Sequence, residues 1–442
     1  MRFAVFAGLV YFVQATGSTG GIAGQTINFY CKEVLGWSPG TVAYFWGIVG
    51  IAWLWKPLIG LVSDLFPING YRRKSYIYIS NTLAILFWWY MGYASIQGML
   101  TTFWSLAVPL ALIGLQFCVT DIAADGLTVQ KSQAAKNEGD LQAVQWGSIY
   151  TGLMLTTFAA TWLAQWVIPD DVLGGSIIGC NLYFKLGVVF FIASVFPLIN
   201  IISCYFLVQE EKVTFNSERV LITLKELFTA LKDSKVWILM LCIFMLHFSP
   251  GFGTPLFYYI RDFCGSDGGQ MPKMWFAWIS MLDKIMALIG IILFRMYWRK
   301  MDTEKVLYFL VIVACLSTLC YLWVSNVYHI IVVSVLFGSF SGFIHVTFLT
   351  IAAQNTPKYV EGIIFAGYCA VFNLAGTASN FTGGWLIDKL DGDWLHNTWF
   401  LTSWIPGVSE NMIGLRLLLV LSAGFTLITI LFIPLLRGMI RR

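Results

Sequence analysis

Charge is what this chain has least of. Asp, Glu, Lys and Arg make up 11% of its 442 residues, against roughly 25% in soluble domains. None occurs from Ser75 to Thr120, and none from Val306 to Pro357. Each run has room for two helical crossings of a bilayer at about 20 residues apiece. With 58% hydrophobic residues and a mean hydropathy of +0.75, the chain has too much apolar surface to hide in a water-soluble core. Lipid is its solvent, and the bilayer is its first partner.

Other absences narrow the function. No Walker motif is present, so ATP is not the expected energy source. The H-E-x-x-H and G-x-S-x-G patterns are missing too, and no enzyme is expected. The nine cysteines show no metal spacing, so neither a metal nor a cofactor is expected. Most of them lie in apolar runs as packing residues. Cys31, Cys180 and Cys264 fall near outer helix ends, where a disulfide is an open alternative. The net charge of +4 comes from basic residues in short loops and is no nucleic-acid signal.

What is present reads as an all-α integral membrane protein. Apolar segments give twelve crossings near 3–30, 41–65, 75–95, 101–130, 140–168, 182–208, 236–261, 273–298, 305–325, 328–355, 361–388 and 411–436. The opening MRFAVFAGLVYFVQ continues into a glycine-rich helix and reads as the first crossing, not as a signal peptide. The charged stretch 209–235 divides the crossings into six and six: an N-terminal bundle over 1–208, a partly helical linker, and a C-terminal bundle over 236–442. The linker's LITLKELFTALK core has helical periodicity suited to the membrane surface. With both termini inside, nineteen of the 27 Lys and Arg fall in inner segments and six in outer ones. That bias puts both termini in the cytoplasm. A faint repeat sets Leu112–Asp121 on Leu336–His345, making crossing 10 the counterpart of crossing 4.

Ionisable groups inside spans are expensive and mark pathways or partners. Asp121 and Asp125 are spaced i,i+4 on crossing 4 and share a face. Either they carry protons, since paired carboxylates raise one another's pKa, or they form a structural cluster at the inner gate. Lys56 on crossing 2 is their expected partner. Lys284 lies near mid-membrane on crossing 8, next to Asp283, which points about 100° away. It binds an anionic substrate or neutralises an acid on another helix. His247 and His345 are the histidines well inside spans, as packing groups or pathway residues. In HFSPGFGTPLFYY, Pro250, Gly251, Gly253 and Pro255 interrupt crossing 7, making a hinge, a site or a packing kink, with Tyr258 just beyond. The glycines of crossing 1 read as close-packing positions, and Gln25, Asn28 and Asn373 as cavity candidates. Gly60 and Asp64, followed by Arg72, Arg73 and Lys74, read as an inner gate between the two bundles.

Twelve crossings, a central charged loop and G-x-x-x-D with a basic cluster resemble the major facilitator superfamily. More specifically, Lys56-Pro57, Gly60, Ser63-Asp64, Pro67-Ile68, Gly70-Tyr71-Arg72-Arg73 and Tyr76 resemble the folate–biopterin transporter family. So do Asp121, Asp125, Gly139, Leu141-Gln142, Trp146-Gly147 and Gly152, and on crossing 7 Ser249-Pro250-Gly251 with Phe257-Tyr258-Tyr259. Muropeptide (AmpG-like) permeases share the spaced aspartates, and the PIxGYRR element separates this chain from them. Ile122-Ala123-Ala124 and Gly126 depart from the family's more usual valines and alanine.

The resemblance implies a secondary active transporter for a folate- or pterin-like organic anion, moved by alternating access and coupled to protons. Aromatic residues would stack on the pterin ring, Lys284 would meet tail carboxylates, and Asp121 or Asp125 would titrate. A monomer in a bacterial inner membrane is expected. A muropeptide permease and a non-transporting receptor on the same fold are the alternatives.

Overall fold

Helices start where capping residues precede the apolar runs. Ser38 accepts a hydrogen bond from the Thr41 N–H, and Pro39 takes the first helical position of the second crossing. Asp302 and Asn326 cap the ninth and tenth crossings in the same way. The computed structural model describes residues 2–135, 138–170, 180–213, 217–265, 269–297, 301–356, 361–390 and 413–437. Within them, the only β-pairing is an isolated bridge between Ile68 and Tyr71.

The helices are α1 (Arg2–Gly17), α2 (Gly24–Phe29), α3 (Pro39–Gly50), α4 (Lys56–Leu65), α5 (Lys74–Ile96), α6 (Phe103–Ala135), α7 (Glu138–Val167), α8 (Cys180–Ala193) and α9 (Phe196–Leu207). They continue with α10 (Ser217–Lys232), α11 (Ser234–His247), α12 (Thr254–Phe263), α13 (Lys273–Tyr297), α14 (Thr303–Cys320), α15 (Val327–Gln354), α16 (Glu361–Leu390) and α17 (Ile413–Ile428). Among the described residues, eight stretches are long and apolar enough to span a bilayer: Pro39–Leu65, Phe103–Thr128, Asn181–Leu207, Lys273–Tyr297, Thr303–Trp323, Val327–Gln354, Ile363–Ile387 and Gly414–Leu436. The other four expected crossings are helical as well. The third (α5) and fifth (α7) are continuous at 23 and 30 residues but more polar. The first (α1, α2) and seventh (α11, α12) are each broken into shorter pieces.

Early and late helices meet along two seams, α7 against α13 and α3–α4 against α16. Glycines set the second seam: an added Cβ at Gly384 would sit 2.8 Å from the Ala43 Cβ, and one at Gly60 would touch Ala366 at 3.8 Å. Among the late helices, α13 and α15 touch backbone to backbone. A Cβ at Gly290 would fall 1.7 Å from the Ser339 carbonyl oxygen, and one at Gly342 2.0 Å from that of Ala287. Large apolar side chains such as Trp104, Phe206, Trp323 and Leu431 point outward, as a lipid-facing surface requires. The linker helix α10 packs on α11 and α16 and leaves Leu221, Ile222 and Phe228 exposed.

Candidate functional site: two cavities and an ion-pair cluster

Crossing 2 is not a uniform helix. Residues Ile51–Trp55 tighten into a 3-10 segment, and Lys56 begins α4 immediately after it. This places the Lys56 ammonium against Asp121 of α6 in an ion pair whose side chains are 6% and 2% exposed. Asp125, one turn further on, accepts from the Tyr11 hydroxyl of α1. It also accepts from Gln145 Nε2 of α7 at 3.3 Å, and the same Gln145 donates to Thr128 at 3.2 Å. The lysine, the two aspartates, Tyr11, Gln14, Gln142, Trp146, Phe372 and Asn373 converge on one cavity of about 120 Å³. Tyr11 and Gln145 escaped the sequence reading, because neutral polar residues give no directional signal in an apolar run.

The two histidines meet beside this cavity. His247 Nδ1 lies 2.8 Å from the Ile243 carbonyl, and its Nε2 lies 3.4 Å from His345 Nδ1. The carbonyl assigns the Nδ1 proton of His247, so His345 Nδ1 is the donor between the rings. That leaves His345 Nε2 as a bare acceptor, and it is buried with no partner among the described residues. The Trp146 and His345 rings are 3.9 Å apart, and the His345 and Phe372 rings 4.7 Å. Trp146 and Phe372 thus form a shared wall, polar cavity on one side and histidines on the other.

Lys284 belongs elsewhere. It and Asp283 both line a second cavity of about 340 Å³ between α12, α13 and α15, closed at one side by Tyr150 of α7. They form no ion pair with each other, nor with any other described residue. Lys284 and the aspartates thus line two cavities, with Trp146 on the first and Tyr150, one turn along α7, on the second. The helix stagger that separates them is invisible in sequence.

Both broken helices lie near these cavities. In crossing 7, Gly253 adopts φ +78, a region that favours glycine, and Pro255 sits in the first turn of α12. The backbone N–H groups freed by the break are taken by serines: Ser249 N donates to Ser379 Oγ at 2.8 Å, and Gly251 N to Ser422 Oγ at 3.2 Å. Crossing 1 is also broken between α1 and α2, where the Gly17 carbonyl accepts from Trp88 Nε1 at 3.1 Å. The glycines expected to serve only packing thus also permit an interruption. On either side of it Gln14, Gln25 and Thr26 bury oxygens that have no partner among the described residues.

At one end of crossings 1, 5, 7 and 8, four charges form a cluster that the sequence reading did not anticipate. Arg261 reaches Glu33 at 3.1 Å and Asp170 at 2.9 Å; Lys273 reaches the same two acids at 2.7 Å and 3.1 Å. Lys32 pairs with Asp262 at 2.6 Å. The cluster ties crossings 1 and 5 to crossings 7 and 8. Tyr258 joins it instead of a cavity: its hydroxyl donates to the Trp37 carbonyl at 3.1 Å, and Lys32 sits 4.3 Å from its ring centre. Asn28 accepts from Trp46 Nε1 at 2.6 Å.

Between crossings 2 and 3, Asn69 and Gly70 turn with φ +52 and +83, the left-handed pair of a tight hairpin. The turn returns Arg73 to Asp64 and to Ser63, with its guanidinium against Gly126. A Cβ at Gly126 would meet that guanidinium at 2.6 Å, which accounts for glycine there. Glu210, another unanticipated residue, accepts from the N–H groups of Arg72, Arg73 and Lys74 at the start of α5. Asp64 and Arg73 thus bind α4 to α6 within the early helices. Contact with a late helix at this level comes from Gly60 against Ile363 and Ala366. Cys31 and Cys264 are free buried thiols; the side chain of Cys180 lies outside the described residues.

Known proteins agree with this architecture. Residues 16–441 match the sequence profile of the BT1 family. The chain is 24% identical to the folate-biopterin transporter of a Synechocystis species, covering 97% of this chain and 80% of that one. It is 22% identical to folate transporter 1 of Plasmodium falciparum, covering 83% and 69%. Among solved structures, the nucleoside transporter NupG superposes with a TM-score of 0.60 at 11% identity over 99% of both chains. The major facilitator superfamily transporter FucP, in its outward conformation, gives 0.58 at 11% identity over 98% and 99%. The chain belongs to the BT1 family and is a multi-pass membrane transporter of the major facilitator fold.

Proposed function

We propose that this chain is a secondary active transporter that moves folate- or pterin-like organic anions by alternating access, coupled to protons. The observation that carries the reading is the first cavity. A buried lysine–aspartate pair and a second carboxylate, held by a tyrosine and a glutamine, sit where helices from both ends of the chain converge. A scaffold has no use for such costly groups. Asp125, the carboxylate without a cationic partner, is the proton carrier, and Lys56 is paired with Asp121 beside it. The names of the relatives supply the cargo class. Residues 1–208 and 236–442 act as two rocking bundles joined by 209–235, in a monomer with both termini in the cytoplasm of a bacterial cell.

The test is uptake of labelled folate by proteoliposomes, with and without an inward proton gradient. The gradient should accelerate uptake in the parent protein and have no effect in Asp125→Asn. Competition by folate, biopterin and anhydro-muropeptide fixes the cargo, and competition by the muropeptide alone would reject the pterin reading. Lys284→Ala should abolish uptake while the purified protein stays monodisperse; full uptake would remove Lys284 from the pathway.

A further inference from the structure

The second cavity has a chemistry that the proton pathway does not use. Asp283 and Lys284 are consecutive on α13, so their side chains leave the helix about 100° apart and reach neighbouring points of one wall. Both line the cavity, and neither is neutralised by another described residue. Facing them across the cavity, Ser334 buries a hydroxyl oxygen with no partner among the described residues, at 2% exposure. Flat aromatic surfaces complete the enclosure: Phe257 packs edge-on to Phe276 at 5.1 Å, and Phe252 edge-on to Tyr321 at 5.2 Å. The volume of about 340 Å³ lies within the range of ligand pockets, roughly 300–1,000 Å³.

We infer that this cavity holds the ring of a 2-amino-4-oxopteridine, with Asp283 and Lys284 reading its hydrogen-bonding edge. That edge presents two adjacent donors, the 2-amino group and N3–H, followed by an acceptor, the 4-oxo oxygen. A carboxylate accepts the two donors as a parallel fork. A neighbouring ammonium donates to the carbonyl beside them. An acid and a base side by side, each without a protein partner, match that order of groups. The same pairing argues against a folate-like tail at this point, because its carboxylates would meet the Asp283 charge at close range. Lys284 is thereby moved from the tail, where sequence reasoning placed it, to the ring.

The inference rests on the pterin reading of the transporter, and the experiment separates the two. Binding of pterin and of lumazine is measured by calorimetry on the purified full chain. Lumazine carries an oxygen in place of the 2-amino group, and so turns an acceptor toward Asp283. The parent protein should prefer pterin by at least about tenfold, the worth of a hydrogen bond to a charged group. Asp283→Asn, whose amide offers a donor as well as an acceptor, should bring the two ligands within about threefold of each other. Asp283→Glu should keep the preference. Lys284→Ala should weaken both ligands alike, since both carry the 4-oxo group. An unchanged preference in Asp283→Asn overturns the inference, and so does the absence of any preference in the parent protein, a result that needs no variant to fold. Folate uptake without pterin discrimination would reject this site and leave the transport reading standing. A parent protein that binds and moves neither folate nor pterin would reject both.

Discussion

Lys56 and Asp121 pair with each other in a place shielded from solvent. Removing one partner of a buried pair costs about 3–5 kcal/mol, because the other charge is left uncompensated. Asp121→Asn should therefore lower the melting midpoint of the purified protein sharply. The double variant Lys56→Met with Asp121→Leu should recover most of that loss, since a well-packed apolar pair often matches a buried ion pair in stability. A thermal melt in detergent checks both expectations. The pair was legible in the sequence because a lone lysine in an apolar run demands a nearby acid, and only crossing 4 offered two on one face. The partners of Asp125 were not. Tyr11 and Gln145 are 114 and 20 residues away from it, and nothing in their own neighbourhoods marks them.

The break in crossing 7 was legible too, because two prolines and two glycines in six residues cannot continue a helix. What satisfies it was not, since Ser379 and Ser422 are small polar residues on helices 130 and 171 positions further along. Gly253 is the residue on which the geometry depends. At φ +78 a side chain would be strained, and its Cβ would press on Asn380 Oδ1 at 3.3 Å. Gly253→Ala should destabilise the protein by about 1–3 kcal/mol, read as a shift in the melting midpoint. Gly251 tolerates a Cβ no better, for steric reasons: the added atom would lie 2.9 Å from the Leu419 backbone nitrogen. The matching break in crossing 1 stayed hidden, because glycines that permit close packing and glycines that permit interruption look the same in a sequence.

Across the whole molecule, the cluster of Glu33, Asp170, Arg261 and Lys273 joins early helices to late ones. Lys273 is fully buried there, with two carboxylates for company. Converting Glu33 and Asp170 together to amides should strand two cations and loosen the contact between early and late helices. Cys31, a buried thiol next to this layer in sequence, reports on it. Its labelling by a membrane-impermeant maleimide, followed by mass spectrometry, should rise at least several-fold in the double variant; unchanged labelling would show that the cluster does not hold the early and late helices together there. The sequence announced an all-helical membrane protein through its hydropathy. It was silent on which of these charges pair, because the partners lie at the ends of four different crossings and only the assembled bundle brings them together.

The backbone contact of α13 with α15 has a mechanical meaning. With carbonyls lodged against Gly290 and Gly342, the two helices have no slack in which to slide or part. They form a single strut, carrying Lys284 at one cavity and His345 behind the Trp146 wall of the other. A displacement at the first end should therefore be felt at the Trp146 ring that walls the carboxylates. Widening either glycine would bend the lever without touching the cargo or the proton.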